Sequence, residues 1–539
     1  MKHFILFAAF VFSSVGLFAQ SNADVLIKNG KVIDGTGNSW YYGDVAVKDG
    51  KILRIGKNLT LPATKVIDAK GLVIAPGFID VHGHIEGGII THPTADNYIY
   101  DGVTTVITGN CGSSAGNIRR FFQEIDSVKT SINVATLIGH NSVRGQVMNR
   151  DKRKPTAGEQ KRMEQMVEQA MKEGAVGLST GLIYIPGAYA DTEEVIGLAK
   201  ASAKHNGLYA SHIRNEENKA AEAINEAINI GKQADIPVQI SHFKIGGKIN
   251  WGKSSQMLSL VENARLEGWD VTIDQYPYTA SSTNLGVRLP DWAFAGGNDS
   301  LLFRLRNAAI RSQIKKEMLE QLNDYKFENY SYAVVANYGA DRKLNGKSIT
   351  EINIIMGRRP DAANEAETIM DMIEKGGAQM VYHSMNEDDV RTIMKYPFAM
   401  VGADAGVRAF GVGMPHPRGY GSNARILGKY VRDEKVISLE EAIRRMTSLA
   451  AQKFNLRDRG MLREGMAADV VVFDENTVQD LSTFTEPHAY SKGFKYVLVN
   501  GQLVVEDEKH LGTRSGRSLY GPAFESPASA QNTLMGNNK

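Results

Sequence analysis

Six residues of metal-ligating type stand at the ends of apolar runs in this 539-residue chain. His82 and His84 close FIDVHGH, and Cys111 closes TTVITGNC. His212 closes GLYASH, His242 closes PVQISH and Asp404 closes AMVGAD. Side chains alternate along a strand, so His82 and His84, at i and i+2, point the same way. Two imidazoles sharing a face form a bidentate arrangement for a divalent cation. His212, His242 and Cys111 offer two more imidazoles and a soft thiolate, a set that suits Zn²⁺, whereas His82, His84 and Asp404 make a harder cluster. Two arrangements stay open: one tight zinc with a weaker second site, or a thiolate bridging two metals. Cys111 is the only cysteine, so no internal disulfide can form. The plain alternative is a buried, inert thiol.

Bringing these ends together needs a fold that gathers strand termini. Eight apolar runs, from FIDVHGH to AMVGADAG, alternate with amphipathic stretches such as EQKRMEQMVEQAMKEG. This pattern predicts an α/β fold, a (β/α)8 barrel over 77–456, whose function gathers at the C-terminal ends of its strands. A helical, charged insertion around 290–375 interrupts the spacing. Short alternating runs with Asn-Gly and Asp-Gly turns occupy 24–76 and return over 457–510. They predict a small β-sandwich built from both chain ends. The stretch 513–539 is rich in Ser, Gly, Asn and Pro and reads as a flexible tail, mobile or draped over the surface.

Composition narrows the setting. With 62 basic and 60 acidic residues, no strong field favours nucleic acid or a membrane surface. Lys2 and His3 precede the apolar run Phe4–Phe18, shorter than the roughly 20 residues of a spanning helix. Residues 1–19 therefore read as a signal peptide rather than an anchor, and the expected location is periplasmic or secreted. No nucleotide cofactor is expected.

The motifs GFIDVHGH, GNCG, STGLIYIPGAYA, SHIRNE, QISHFK, DQYPYT, HPRGYG and MTSLAAQKF resemble those of the N-acyl-D-amino-acid deacylases (D-aminoacylases) of the amidohydrolase superfamily. The resemblance covers about Ala23 to Gly516. It implies a metal-bearing barrel with a β-domain, and metal ligands at His82, His84, Cys111, His212, His242 and Asp404. Within that set, Cys111, His212 and His242 form the tighter site. Two positions depart from the family pattern: HGHIEGG lacks an acidic pair after the HxH, and Ala403 replaces a serine before Asp404.

The chemistry expected of such a centre is amide hydrolysis. Zinc lowers the pKa of bound water to about 7 and polarises a carbonyl. Asp404 is placed to take the water's proton and pass it to the departing amine. Lys244, two residues beyond His242, suits a substrate carboxylate. The resemblance adds Tyr276 and Ser282 for that carboxylate and Tyr184 near the scissile carbonyl. Arg418 is a further candidate, while His140 and Arg144 read as structural. The resemblance, not any local spacing, implies small-molecule N-acyl-D-amino acid substrates. Alternatives are an N-acyl-D-glutamate specialist, an isoaspartyl or D-dipeptidase, a cyclic-amide hydrolase or a non-catalytic barrel.

Overall fold

The computed structural model describes residues 22–525; the expected signal peptide lies outside them. The β-domain draws on both chain ends. Strands Ala23–Val32, Tyr41–Lys48, Lys51–Gly56, Ala63–Asp68 and Val73–Pro76 join Val470–Phe473, Phe494–Val499, Gln502–Glu506 and Lys509–His510 in one nine-stranded sheet. The seam is the antiparallel pair Val470–Phe473 on Val73–Pro76. The Asp49-Gly50 turn has both residues at positive φ, as a two-residue hairpin requires. The strands expected as a sandwich are thus continuous, and the sheet curls until Lys51 bridges Ala467. Its inside is packed with Val25, Ile27, Val45, Ile74, Val470 and Val472.

The chain leaves this sheet at Pro76 and enters the barrel. Its strands are β1 (Phe78–Asp80), β2 (Val103–Thr108), β3 (Asn133–Thr136, resumed at Ile138–Gly139), β4 (Gly177–Gly181), β5 (Leu208–His212), β6 (Val238–Ile240), β7 (Val271–Gln275) and β8 (Ala399–Val401). All pair in parallel, in the order β1-β2-β3 and onward from β3 through β8. Closure comes where the Val81 N–H donates to Val401 O and Gly83 bridges Ala405. Helices such as Ala157–Lys172, Thr192–Ala203 and Ala220–Ala234 cover the outside. Their apolar faces (Met163, Val167, Ile224, Ile228) complete the main core. Parallel strands buried on both faces explain the near-continuous apolar runs.

One expectation on organisation changes and another narrows. The insertion is not purely helical and reaches beyond 290–375: strands Ser281–Asn284, Ala333–Asn337 and Gln379–Tyr382 form an antiparallel sheet, with Gln379–Tyr382 central. It packs with helix Ala308–Asp324 around its own core, including Leu305, Ile314, Met318 and Met380. The alternation in these strands is short and borders Ser, Thr and Asn, so their periodicity was hidden. Of the two readings of the tail, mobile or draped over the surface, residues 513–525 follow the second and lie against the barrel. Ser518 bridges Val134, Leu519 N–H donates to Val134 O, and Leu519 is buried beside Ala135 and Val176.

Candidate metal centre

All six ligand candidates meet at one mouth of the barrel. Two groups of donor atoms each fall within 4.8 Å: His82, His84, Cys111 and Asp404, and Cys111, His212 and His242. Cys111 belongs to both. Its Sγ lies 3.2 Å from His82 Nε2 and 3.5 Å from both His212 Nδ1 and His242 Nε2. His84 Nε2 stands 3.1 Å from Asp404 Oδ1, and His82 Nε2 3.7 Å from the same oxygen. Tetrahedral coordination with bonds of about 2.0–2.3 Å puts ligand atoms roughly 3.3–3.8 Å apart. The spacing around Cys111 therefore fits a cation.

The backbone carries strain to make this arrangement. Cys111, His242 and Asp404 all have positive φ, at 52°, 34° and 48°. Non-glycine residues there are uncommon and cluster where surrounding structure and function impose them. Each lies just beyond a strand, so the left-handed turn swings its side chain over the barrel axis. Close packing supports the turn: a Cβ on Gly112 would meet Asn141 Oδ1 at 2.2 Å, and one on Gly181 would meet Cys111 O at 2.1 Å.

Carboxylates stand behind the imidazoles. Asp274 Oδ1 lies 3.2 Å from His82 Nδ1, and Glu216 Oε1 lies 2.9 Å from His242 Nδ1. A ligating histidine directs its second ring N–H at such a group, which sets ring orientation and basicity. Burial holds the His212 imidazole well below its ordinary pKa despite Glu216, and His242 likewise, with Lys244 adding to the effect. Both rings are thus neutral, as ligands must be. Burial pushes the Cys111 thiol up to about 11, so a thiolate here calls for a cation beside it. Burial also opposes ionisation of Asp404, but Arg418, His82 and His84 outweigh it and hold the carboxyl well below the usual range.

Around the centre lie the expected substrate groups, one of them in altered circumstances. Lys244 Nζ is 2.6 Å from Glu216 Oε1, so it is already an ion pair rather than a free cation. Tyr276 is buried with no partner for its hydroxyl. Tyr184 accepts from Thr283 Oγ1, and burial raises its pKa well above 10, keeping the phenol protonated. Ser282 accepts from Gln379 Nε2. Arg418 stacks 4.4 Å from the Tyr276 ring and pairs with Asp404 at 2.9 Å. His140 and Arg144 instead share Glu194, at 2.8 and 3.0 Å, in a fully buried structural cluster.

The sequence reading missed several residues. Asp80 receives N–H donors from His82 and Ala403, tying the first and last barrel strands together. Asp274, Glu216 and Arg288 also passed unnoticed, although DVTIDQYPY and SHIRNE contain the first two at strand ends. GKINWGKS at 247–254 does carry phosphate-loop spacing between β6 and a helix. Its Gly252 and Ser254 N–H groups point at the Asp389 carboxylate, which occupies the place an anion would take. Ser114, central in a GxSxG spacing, donates to Ala115 O and has no histidine partner among the described residues.

Residues 65–276 and 339–505 match the amidohydrolase family. The chain belongs to that family. This amidohydrolase is 34% identical over 504 residues to the N-acyl-D-glutamate deacylase of Alcaligenes xylosoxydans xylosoxydans, covering 89% of the chain and 93% of the relative. It is 33% identical over 520 residues to the D-aminoacylase of the same organism, covering 92% and 97%. Its structure resembles the N-acyl-D-glutamate deacylase of Bordetella bronchiseptica, solved with zinc and a phosphonate mimic of the tetrahedral intermediate. The TM-score is 0.79 at 34% identity, over 93% of this chain and 100% of that one.

Proposed function

We propose that this amidohydrolase is a zinc-dependent N-acyl-D-amino-acid deacylase that is exported from the cell. The observation that carries the chemistry is Cys111 Sγ placed 3.2–3.5 Å from three imidazole nitrogens, with Asp404 in the adjoining cluster. Cys111, His212 and His242 would hold the tighter zinc, and His82, His84 and Asp404 a second one. Bound there, zinc supplies a Lewis acid and lowers the pKa of water to about 7. Asp404, ionised beside His84 and Arg418, accepts the proton of the attacking water and returns it to the leaving nitrogen. Tyr184, whose phenol burial keeps protonated, donates to the scissile carbonyl. Tyr276 and Ser282 orient the carboxylate of the amino acid, beside the Lys244–Glu216 pair.

A second observation favours an acidic side chain on that amino acid. A cavity of about 340 Å³ beside His212 and His242 is lined by Arg288 as well as Lys244. Arg288 Nε is buried without a hydrogen-bond partner, and its Glu217 contact is long, at 3.8 Å. A D-glutamyl or D-aspartyl carboxylate would complete it, in keeping with the named activity of the first relative.

The test is an assay of purified, zinc-loaded protein against paired N-acetyl-D- and L-amino acids, D-glutamate included. Turnover of the D series alone, lost on chelation, supports the reading; turnover confined to hydantoins or L substrates overturns it. Export rests on residues 1–19, and no helix among the described residues is long and apolar enough to cross a membrane. Amino-terminal sequencing of protein from a periplasmic fraction tests it.

A further inference from the structure

A second, larger cavity of about 730 Å³ opens on the other side of the centre. It reaches His84, Cys111 and Asp404, and shares Tyr184, Ser282, Thr283 and Asp404 with the smaller one. An amide whose carbonyl sits at these shared residues sends its two halves into different chambers. Arg288 marks the smaller chamber as the amino-acid side, so the larger one takes the acyl group.

That chamber contains an uncompensated cation. Arg408 lies in its wall, with Nε buried and lacking a hydrogen-bond partner. The charged and phenolic groups facing it are Tyr420, Tyr98 and a second cation, Arg418; no carboxylate pairs with it among the described residues. Arg418 is itself taken up by Asp404 and by Ser282 O. In the same wall Asn141 keeps a buried, unpartnered Oδ1 while its amide nitrogen donates to Gly181 O and Tyr184 O. Arg408 is half-buried with only its Nε sealed off, so its terminal nitrogens stay open to the chamber, where a ligand can supply the missing counter-charge. Guanidinium geometry matches a carboxylate bidentately.

We propose that Arg408 binds a terminal carboxylate on the acyl group, making N-dicarboxylyl-D-amino acids, such as N-succinyl derivatives, preferred substrates. The inference rests on the deacylase reading and specifies its acyl side. Water adds to the acyl carbon, the C–N bond breaks, and the amine leaves with a proton, giving a dicarboxylate and a free D-amino acid.

The experiment compares kcat/KM for N-succinyl, N-succinamoyl and N-acetyl derivatives of one D-amino acid. The succinamoyl group matches succinyl in size and lacks its charge. Wild-type protein is expected to favour succinyl over succinamoyl by at least tenfold. Arg408→Gln should erase that ratio and Arg408→Lys should keep part of it, whatever the absolute rates. A wild-type ratio near one, or a ratio unchanged in Arg408→Gln, overturns the proposal. The wild-type ratio alone decides if the variants do not fold. Absence of turnover on all three substrates would instead count against the deacylase reading.

Discussion

Asp274 Oδ1 stands 3.2 Å from Nδ1 of His82, on the side of the ring opposite the nitrogen that faces Cys111. The same oxygen accepts the His242 N–H at 2.7 Å, and Gln239 donates to Asp274 Oδ2. One carboxylate therefore faces an imidazole just beyond β1 and holds a backbone turn after β6. Asp274→Asn keeps the shape and removes the charge. Metal affinity should fall about 10–100-fold, measured by chelator competition, with the far-ultraviolet dichroism unchanged. Undiminished affinity would mean that Asp274 serves the fold alone.

Cys111 is the donor common to both clusters. Cys111→Ala should lose most bound zinc, and activity should drop more than about 100-fold, since nearly all the stabilisation that the centre gives the transition state depends on it. Metal analysis of the purified variant is decisive. Wild-type zinc content would rule out the thiolate ligand.

Asp404 faces His84 and Arg418 at 3.1 and 2.9 Å. Asp404→Asn can still accept a hydrogen bond through its amide oxygen but cannot carry a proton between water and amine. We expect kcat to fall by about 10²–10⁴, with a smaller change in KM. Steady-state kinetics at saturating zinc would read this, and a kcat within threefold of wild type would remove Asp404 from proton transfer.

Arg288 lines the smaller chamber with an unpartnered Nε. Arg288→Met should raise KM for N-acetyl-D-glutamate at least tenfold and leave that for N-acetyl-D-methionine within about threefold, a charged hydrogen bond amounting to ~1.5–3 kcal/mol. Equal losses on both substrates would make Arg288 a wall residue without selectivity.

Asp101 clamps the segment after β8, accepting from the N–H groups of Asn423 and Ala424 and from Ser491 Oγ. Burial pushes its carboxyl up to about 7 against these donors. The unfolded carboxyl ionises near 4, so between about pH 4 and 7 the native state holds the extra proton. This contribution is present below pH 4 and is lost as pH rises through 7, up to ~4 kcal/mol at 1.36 kcal/mol per pH unit. Denaturant midpoints measured against pH, with Asp101→Asn as reference, check it. The difference between the two proteins should follow that slope, and a flat difference would contradict it.

The chain order itself determined much of this protein. Period-two alternation at both ends and continuous apolar runs between them were enough for a barrel and a β-domain, because burial on one face or on two imposes those patterns locally. Residue type at strand ends was enough to pick His82, His84, Cys111, His212, His242 and Asp404. What lay beyond local pattern was pairing across long separations. Glu216 as the partner of Lys244, Asp274 behind His82 and Asp389 filling the loop of GKINWGKS all depend on which strand ends meet in space. The insertion's sheet was equally hidden, since Ser281–Asn284 pairs with a strand almost a hundred residues away. A charge shows its role only when its counter-charge is known, distant as at Arg288 or lacking among the described residues as at Arg408, and tertiary packing alone brings those groups within reach.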